Sequence, residues 1–205
     1  MKRFIFLIVA SLFLLVASVL LLVGCTDNIE EPEVNLPLIQ TENQQPILAD
    51  EKPQTIEVEL INTDGVGVGV ATIVEEVDGV HITVDAHHLS PGVHGIHIHE
   101  RGLCEPSTFE SAGGHFNPTD KAHGFYHSEG PHAGDLQNLE VNEDGTVKQT
   151  FINHQVTLKP NESNSLIRKE GTTLIIHEDE DDYITQPAGN SGDRIVCGVI
   201  SPAKK

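Results

Sequence analysis

Histidine dominates the part of this sequence where metal chemistry could occur. The chain has 205 residues, and 12 of them are His. His97-Ile-His99 lies in a stretch that alternates like a β-strand, and side chains at i and i+2 of a strand share one face, so both imidazoles can reach one metal ion. Such a pair also occurs as two polar positions on a solvated strand face. The pair alone leaves both interpretations open.

The segment after this pair adds three imidazoles and a carboxylate. His115, His123, His132 and Asp135 are separated by eight, nine and three positions. Three His and one Asp suit a closed, four-coordinate zinc site. The alternative is a solvated loop that is merely rich in His. His177 comes later, directly before a run of acidic residues.

Strand-like alternation predicts the elements that must position these side chains. Apolar and polar residues alternate through most of the chain after residue 54, β-branched residues are frequent, and Asp-Gly pairs mark hairpin turns. The predicted strands are Thr55–Ile61, Gly67–Val74, Gly79–Asp85, Val93–Glu100, Leu136–Asn142, Thr146–Ile152, Thr172–His177 and Arg194–Ile200. No segment has helical periodicity. This pattern predicts an all-β domain of eight antiparallel strands, a sandwich or barrel, and the long stretch 101–135 is expected to be a functional loop.

The first 24 residues predict that the protein is exported from the cytoplasm. Lys2 and Arg3 precede an apolar run from Phe4 to Val23, as in a secretory signal. Leu22-Val-Gly-Cys25 resembles the lipobox of bacterial lipoproteins, in which the Cys becomes the lipidated first residue. The alternative is an uncleaved signal anchor. We therefore expect a signal peptide over 1–24, a lipid on Cys25 that anchors the chain to the bacterial cell membrane, and a folded domain outside the cytoplasm.

Composition limits the partners. Residues 25–54 are rich in acids, Pro, Gln and Asn without periodicity, which predicts a disordered acidic tether. The whole chain has 12 Lys+Arg against 31 Asp+Glu, a net charge of −19. This acidity argues against nucleic-acid binding, which needs a basic face. The sequence leaves the oligomeric state open.

Several ordered motifs resemble the copper/zinc superoxide dismutase family, over residues 55–201. The motifs are Gly95-Ile-His-Ile-His-Glu100, Ser111-Ala-Gly-Gly-His-Phe-Asn-Pro118, Gly134-Asp-Leu136 and Gly189-Asn-Ser-Gly-Asp-Arg-Ile-Val-Cys-Gly-Val-Ile200. The resemblance implies a Greek-key β-barrel of eight antiparallel strands with long metal-binding and electrostatic loops. It also implies dismutation of superoxide to O₂ and hydrogen peroxide, with copper and zinc as cofactors, by the domain 55–205.

The resemblance also implies a role for each matching residue. The copper ligands it implies are His97, His99, His115 and His177. The zinc ligands are His115, which bridges the two metals, with His123, His132 and Asp135. Asp181 corresponds to an aspartate that links a copper-ligand and a zinc-ligand His. Arg194 corresponds to the active-site arginine, and Cys104 and Cys197 to the disulfide of the domain.

One segment departs from the family. Many relatives carry Lys residues that attract superoxide between the last copper ligand and the arginine, whereas residues 178–193 here contain six acids and no Lys or Arg. This predicts a slower enzyme whose rate depends on salt. The main alternative is a non-catalytic copper/zinc-binding lipoprotein, which would have no use for Arg194. A purely structural or adhesive sandwich leaves the seven ligand positions unexplained.

Overall fold

The computed structural model describes residues 54–204, and in this range the regular structure is almost entirely β. The strands are β1 (Thr55–Asn62), β2 (Gly67–Glu76), β3 (Gly79–Ala86), β4 (Gly92–His94), β5 (Ile96–His99), β6 (Leu139–Val141), β7 (Val147–Asn153), β8 (Thr172–His177) and β9 (Arg194–Ser201). A single 3₁₀ turn, Glu110–Ala112, interrupts the loop after β5. The predicted signal peptide, Cys25 and the tether up to residue 53 lie outside the described residues.

Alternation of side chains explains how these strands build a core. In the antiparallel register Ile73 of β2 lies beside Ile82 of β3, and Ile82 lies beside Phe151 of β7. All three side chains are buried, while the intervening residues of β3 are only partly covered. One face of each strand therefore points inward, as the period of two in the sequence predicts.

The strands form a curled antiparallel sheet of seven strands and a smaller sheet of two. Seven strands pair in the order β5-β8-β9-β1-β2-β3-β7, and β4 pairs with β6. β7, rather than β4, lies beside β3, which is a Greek-key crossover. The Gln149 side chain joins β7 to β6: its Oε1 accepts from the Glu140 amide and its Nε2 donates to the Asn138 carbonyl, both at 2.9 Å. The prediction of an all-β, barrel-like fold is confirmed.

The fourth predicted strand is divided at Gly95, so the described residues contain nine strands rather than eight. The Gly95 amide donates to the carbonyl of Asp179, and its carbonyl accepts from the amide of His177, both at 2.8 Å. A Cβ at Gly95 would lie 2.8 Å from the Ser191 Cβ. The chain bends at this glycine because the acidic loop after β8 packs directly against its backbone.

A second, smaller apolar cluster lies on the other face of the sheet from the main core. Leu174 and Ile176 of β8 belong to the main core, whereas Ile175 packs with Phe109, Ala112 and Cys197. A disulfide joins Cys197 of β9 to Cys104 in the loop after β5, with the Cα atoms 5.8 Å apart. The disulfide and this cluster hold that loop against the sheet. Within 54–204 no helix is long and apolar enough to span a membrane.

Candidate metal centre

β5 presents two imidazoles on the face opposite the main core. Ile96 and Ile98 of β5 are fully buried in the core, and alternation therefore directs His97 and His99 to the other face. Opposite them on β8 lie Ile175 and Thr173. The pair predicted from spacing is buried, with both His residues no more than 1% exposed. The interpretation as a solvated strand face is therefore wrong.

The loop after β5 folds back along the free edge of β5. The Ile98 amide donates to the carbonyl of Gly134 at 2.8 Å, and the Ile98 carbonyl accepts from the amide of Phe116 at 2.7 Å. These bonds place His115 beside His99 and Asp135 beside His97 as isolated bridges. Backbone pairing with the edge strand therefore brings distant loop residues next to the two β5 imidazoles. His115 lies 16 positions after His99, and Asp135 lies 38 positions after His97.

Four imidazoles converge in a first group, the one the sequence assigns to copper. The group consists of His97, His99, His115 and His177, and one ring nitrogen from each lies within 4.8 Å of the others. The same four residues each leave one buried nitrogen without a hydrogen-bond partner, namely His97 Nδ1, His99 Nε2, His115 Nε2 and His177 Nε2. An unpaired buried polar atom costs about 1–3 kcal/mol, and a metal ion bound by these lone pairs would remove that cost.

The second nitrogen of each ring has a partner that orients it. The contacts are His97 Nε2 to Asp181 Oδ2 at 2.8 Å, His99 Nδ1 to the Gly113 carbonyl at 2.9 Å, His115 Nδ1 to Asp135 Oδ1 at 2.8 Å and His177 Nδ1 to the Gly192 carbonyl at 3.3 Å. Outer partners of this kind fix the tautomer and the ring plane of a metal-binding His. The four unpaired nitrogens are thus positioned in advance.

A second group surrounds the Asp135 carboxylate. His115 Nδ1 lies 2.8 Å from Oδ1, His123 Nδ1 3.1 Å from Oδ2 and His132 Nδ1 3.3 Å from Oδ1. His123 Nδ1 and His132 Nδ1 make no hydrogen bond, although both face the carboxylate. These are the four residues that the sequence assigns to zinc, and the chemistry of the donor set fits that metal.

The two groups share a side chain. The ligand atoms of His97, His115, His123 and Asp135 also lie within 4.8 Å of one another. His97 of the first group thus lies close to the second group. His115 belongs to both, with Nδ1 on Asp135 and Nε2 unpaired. A ring with one nitrogen in each group has the placement that a bridging ligand requires.

Asp181 links the groups from the side of the acidic loop. One oxygen lies 2.8 Å from His97 Nε2 and the other 3.0 Å from His123 Nε2. Asp181 is itself held by Asn138, whose Oδ1 accepts from the Asp181 amide at 3.0 Å and whose Nδ2 donates to its carbonyl at 2.9 Å. Gly189, with φ of 68°, packs so closely that a Cβ there would overlap Asp181 Oδ1.

Arg194 lines a cavity of about 440 Å³ together with His99, His115 and His177. Its two terminal nitrogens donate to the carbonyls of Phe109 at 2.8 Å and Gly113 at 2.7 Å. The Gly113 carbonyl also lies 2.9 Å from His99 Nδ1. One backbone oxygen therefore fixes both the guanidinium and a candidate metal ligand, so the positive charge is held rigidly beside the four imidazoles.

Burial keeps the imidazoles of the first group neutral. It lowers the pKa of His115 to about 3 and that of His177 to about 2, with the neighbouring His97 adding to each shift. The pKa of His99 falls well below its usual range for the same reason. A neutral imidazole is the form that binds metal.

The carboxylates between the groups are ionised. Burial raises the pKa of Asp135 and Asp181, but contacts with His side chains outweigh it and hold both values far below the usual range. Burial alone would lower the pKa of His123. Its contacts with the same two carboxylates outweigh burial and raise the pKa above its usual value, to about 9. A metal ion that binds at Asp135 would displace that proton.

Residues of the acidic loop surround the centre unevenly. Asp181 is buried, whereas Glu178, Asp179, Glu180 and Asp182 are exposed. Asp182 accepts from the amides of Ile184 and Thr185 at 2.9 and 2.7 Å and so stabilises a turn. Glu178 lines a neighbouring surface cavity of about 380 Å³ together with Arg194, which brings one of these exposed acids close to the guanidinium.

His94 is a positioning residue whose role the sequence did not reveal. It lies outside both groups, since its position along the chain has the opposite parity to His97 and His99, yet it is buried. Its Nδ1 lies 2.8 Å from the carbonyl of His177 and its Nε2 2.8 Å from that of Ser90. The position of His94 along the strand indicates which face its side chain occupies. It does not indicate which carbonyls the ring contacts. Five other His residues lie outside both groups and are partly or fully exposed: His81, His87, His88, His127 and His154.

Comparison with known proteins agrees with this geometry. Residues 68–200 match the sequence profile of the family described as copper/zinc superoxide dismutase. The chain is 51% identical over 143 residues to Superoxide dismutase [Cu-Zn] 2 of Aquifex aeolicus, covering 69% of this chain and 84% of the relative. It is 47% identical over 145 residues to Superoxide dismutase-like protein YojM of Bacillus subtilis, covering 70% and 74%.

Two solved structures share the fold. A SOD-like protein from Bacillus subtilis superposes with a TM-score of 0.70 at 44% identity, covering 73% of this chain and 99% of that one. The Cu/Zn superoxide dismutase from Brucella abortus superposes with a TM-score of 0.61 at 31% identity, covering 72% and 99%.

Proposed function

This chain belongs to the copper/zinc superoxide dismutase family, and we propose that it is a lipid-anchored enzyme that dismutates superoxide outside the cytoplasm. Two superoxide ions and two protons give one O₂ and one hydrogen peroxide. The proposal includes the assignment of individual residues to copper, to zinc and to the substrate.

The observation that carries the proposal is the set of four unpaired imidazole nitrogens beside a fixed arginine. The set comprises His97 Nδ1, His99 Nε2, His115 Nε2 and His177 Nε2. Four imidazoles suit the tetragonal preference of Cu(II). Copper, when bound there, supplies a one-electron couple that lets one superoxide be oxidised and the next be reduced.

Zinc would be held by His115, His123, His132 and Asp135, the residues around the Asp135 carboxylate. Zinc has no redox chemistry, so its part is structural and electrostatic. Asp181 orients one imidazole of each set through its two oxygens. The positions of both sets therefore depend on a single buried carboxylate.

Arg194 binds and orients the substrate anion. The guanidinium is charged at any relevant pH, and its two carbonyl contacts fix its position on the wall of the cavity. Superoxide that enters this cavity meets the cation and the imidazoles together. A storage protein needs no such group, which favours the enzyme over the non-catalytic metal-binding alternative.

His115 is the residue placed to deliver a proton. It lines the same cavity as Arg194, its Nδ1 is engaged by Asp135, and its Nε2 has no partner. If a metal ion replaces the proton on Nδ1, the neutral ring would carry its single proton on Nε2, on the wall that the anion contacts, as long as no metal ion occupies that nitrogen. Transfer of this proton to the reduced oxygen would contribute one of the two protons that peroxide requires.

The N-terminal residues support the location. Lys2, Arg3, the apolar run 4–23 and Cys25 match the order of a lipoprotein signal. The following 29 residues of tether would reach on the order of 30 Å. A disulfide between Cys104 and Cys197 persists in an oxidising compartment. These features support a domain held near the outer face of a membrane.

The decisive experiment is superoxide decay by the protein reconstituted with copper and zinc. We expect fast decay in the wild type and in His154→Ala, which removes an exposed imidazole, and loss of decay in His99→Ala. If the wild type removes superoxide no faster than His99→Ala while zinc binds at full stoichiometry, the enzyme proposal fails. The metal-binding lipoprotein would then remain.

A further inference from the structure

A pair of adjacent His residues lies outside the metal centre, at the end of β3. His87 and His88 are both exposed, yet their rings turn toward each other, with the two Nδ1 atoms 2.9 Å apart. The ring centroids are 4.5 Å apart and the rings are nearly perpendicular. We propose that this pair is a surface binding site for Cu²⁺, separate from the buried centre.

The backbone brings the two rings to one side. Successive side chains of an extended strand point to opposite faces, so neighbouring His residues in a strand cannot chelate one ion. His88, however, has φ of 63°, in the left-handed region, which reverses the chain just after β3 ends. His belongs to the residues that adopt this conformation more readily than most. The turn converts a sequential pair into a facing pair.

The same backbone is anchored on both sides of the pair. The His87 amide donates to the carbonyl of Val68 at 2.8 Å, and the Leu89 amide donates to that of Gly145 at 3.2 Å. Leu89 is buried. The two rings thus project from a short segment that is fixed at each end, so little backbone entropy is lost when an ion binds.

The separation of the two nitrogens matches that of adjacent ligands on a tetragonal ion. Metal–nitrogen bonds of about 2.0–2.1 Å that meet at a right angle place the nitrogens about 2.9 Å apart, whereas a tetrahedral angle places them about 3.3–3.4 Å apart. The observed 2.9 Å fits adjacent positions of a tetragonal ion. Cu²⁺ has this preference and binds nitrogen ligands more tightly than the other divalent first-row ions.

Negative charge surrounds the pair. His87 shares a shallow cavity of about 520 Å³ with Glu57 and Glu59 of β1, and both carboxylates are exposed. The residues that line this cavity include no Lys or Arg. With a net charge of −19 on the whole chain, the surface attracts cations. Water can complete the coordination, and the nearby carboxylates raise the local concentration of cations.

The test is a Cu²⁺ titration of the full chain already loaded with copper and zinc, followed by electron paramagnetic resonance. We expect one further Cu²⁺ with nitrogen hyperfine structure. His87→Ala and His88→Asn should each weaken it by about tenfold or more, which is ~1.4 kcal/mol. Asn tolerates the left-handed backbone, so the second variant removes the ring but keeps the turn. His154→Ala, which removes another exposed imidazole, should bind like the wild type.

Three outcomes would overturn the proposal. They are the absence of a further bound Cu²⁺, equal affinity in all four proteins, and Zn²⁺ binding at the pair as tightly as Cu²⁺. The first two would leave a hydrogen bond between two surface His residues, and the third would contradict the right-angle geometry. The readout compares variants at equal metal loading and does not use superoxide decay, so it is independent of the proposed dismutase activity.

Discussion

The Nδ1 atom of His94 lies 2.8 Å from the carbonyl oxygen of His177. The other ring nitrogen of His94 lies 2.8 Å from the carbonyl of Ser90. A buried imidazole thus spans the start of the loop before β4 and the last residue of β8. Through this contact the backbone of a candidate copper ligand is tied to the segment before β4, outside the buried metal centre.

Replacement of His94 tests whether these contacts stabilise the fold and the copper site. We expect His94→Ala to lower the free energy of unfolding by about 2–4 kcal/mol, because the buried carbonyl of His177 loses its partner and a cavity forms. Copper affinity should fall as well, since the His177 backbone is released. Chemical denaturation and competitive copper binding measure the two effects. His154→Ala, at an exposed position, should change stability by no more than about 0.5 kcal/mol.

Asp181→Asn tests the link between the metal groups. The amide can still contact one imidazole, but it cannot accept from both His97 and His123. We expect metal affinity to fall about 10–100-fold, the usual effect of losing such an outer partner. Affinities for copper and zinc should be measured separately by competition with chelators. A loss confined to one metal would contradict the view that Asp181 orients both sets. Asp179→Asn, at another exposed acid of the same loop, is the matched control for charge.

Arg194 is predicted to act on the substrate rather than on the metals. Arg194→Gln should slow superoxide decay about tenfold or more while copper and zinc occupancy stay unchanged. Arg194→Lys keeps the charge but cannot reach two carbonyls with a planar fork, so its rate should be intermediate. Lys169→Gln removes an exposed cation elsewhere and should leave the rate unchanged. Metal loss in Arg194→Gln would instead indicate a structural role through Gly113.

The acidic loop is predicted to repel the substrate. Glu178→Gln combined with Glu180→Gln removes two exposed charges and should raise the rate by a factor of about 2–10 at low ionic strength. Added salt screens the same repulsion and should raise the wild-type rate more than that of the double variant. Asp182 is left intact because it stabilises the turn at Ile184 and Thr185. A wild-type rate that falls with salt would show that attraction by Arg194 outweighs the loop.

The predicted lipid anchor is tested at Cys25. Fatty-acid labelling of the expressing bacteria should mark the wild-type protein but not Cys25→Ser. The wild type should fractionate with membranes. The variant should not be cleaved before residue 25. Cys104→Ser, which keeps Cys25, should still be labelled and serves as the control. Unlabelled wild-type protein that stays in the membrane would favour the uncleaved signal anchor.

The sequence determined those features that depend on neighbours along the chain. Alternation at period two is local, so it predicted strands such as β3 and β8, with shifts of only one or two residues at most ends. The spacing of His97 and His99 fixed their common face for the same reason. The motifs of the family then named the remaining candidate ligands, Asp181 and Arg194.

Only the tertiary structure decided how these parts meet. The break at Gly95 arises because residue 179 packs on its backbone, and the burial of His94 depends on carbonyls at Ser90 and His177. The turning of His88 toward His87 follows from a backbone torsion that the neighbouring sequence does not dictate. Contacts of this kind join residues far apart in the chain or depend on backbone torsions set by packing. They form only when the sheet closes, so the hydrophobic pattern along the chain does not predict them.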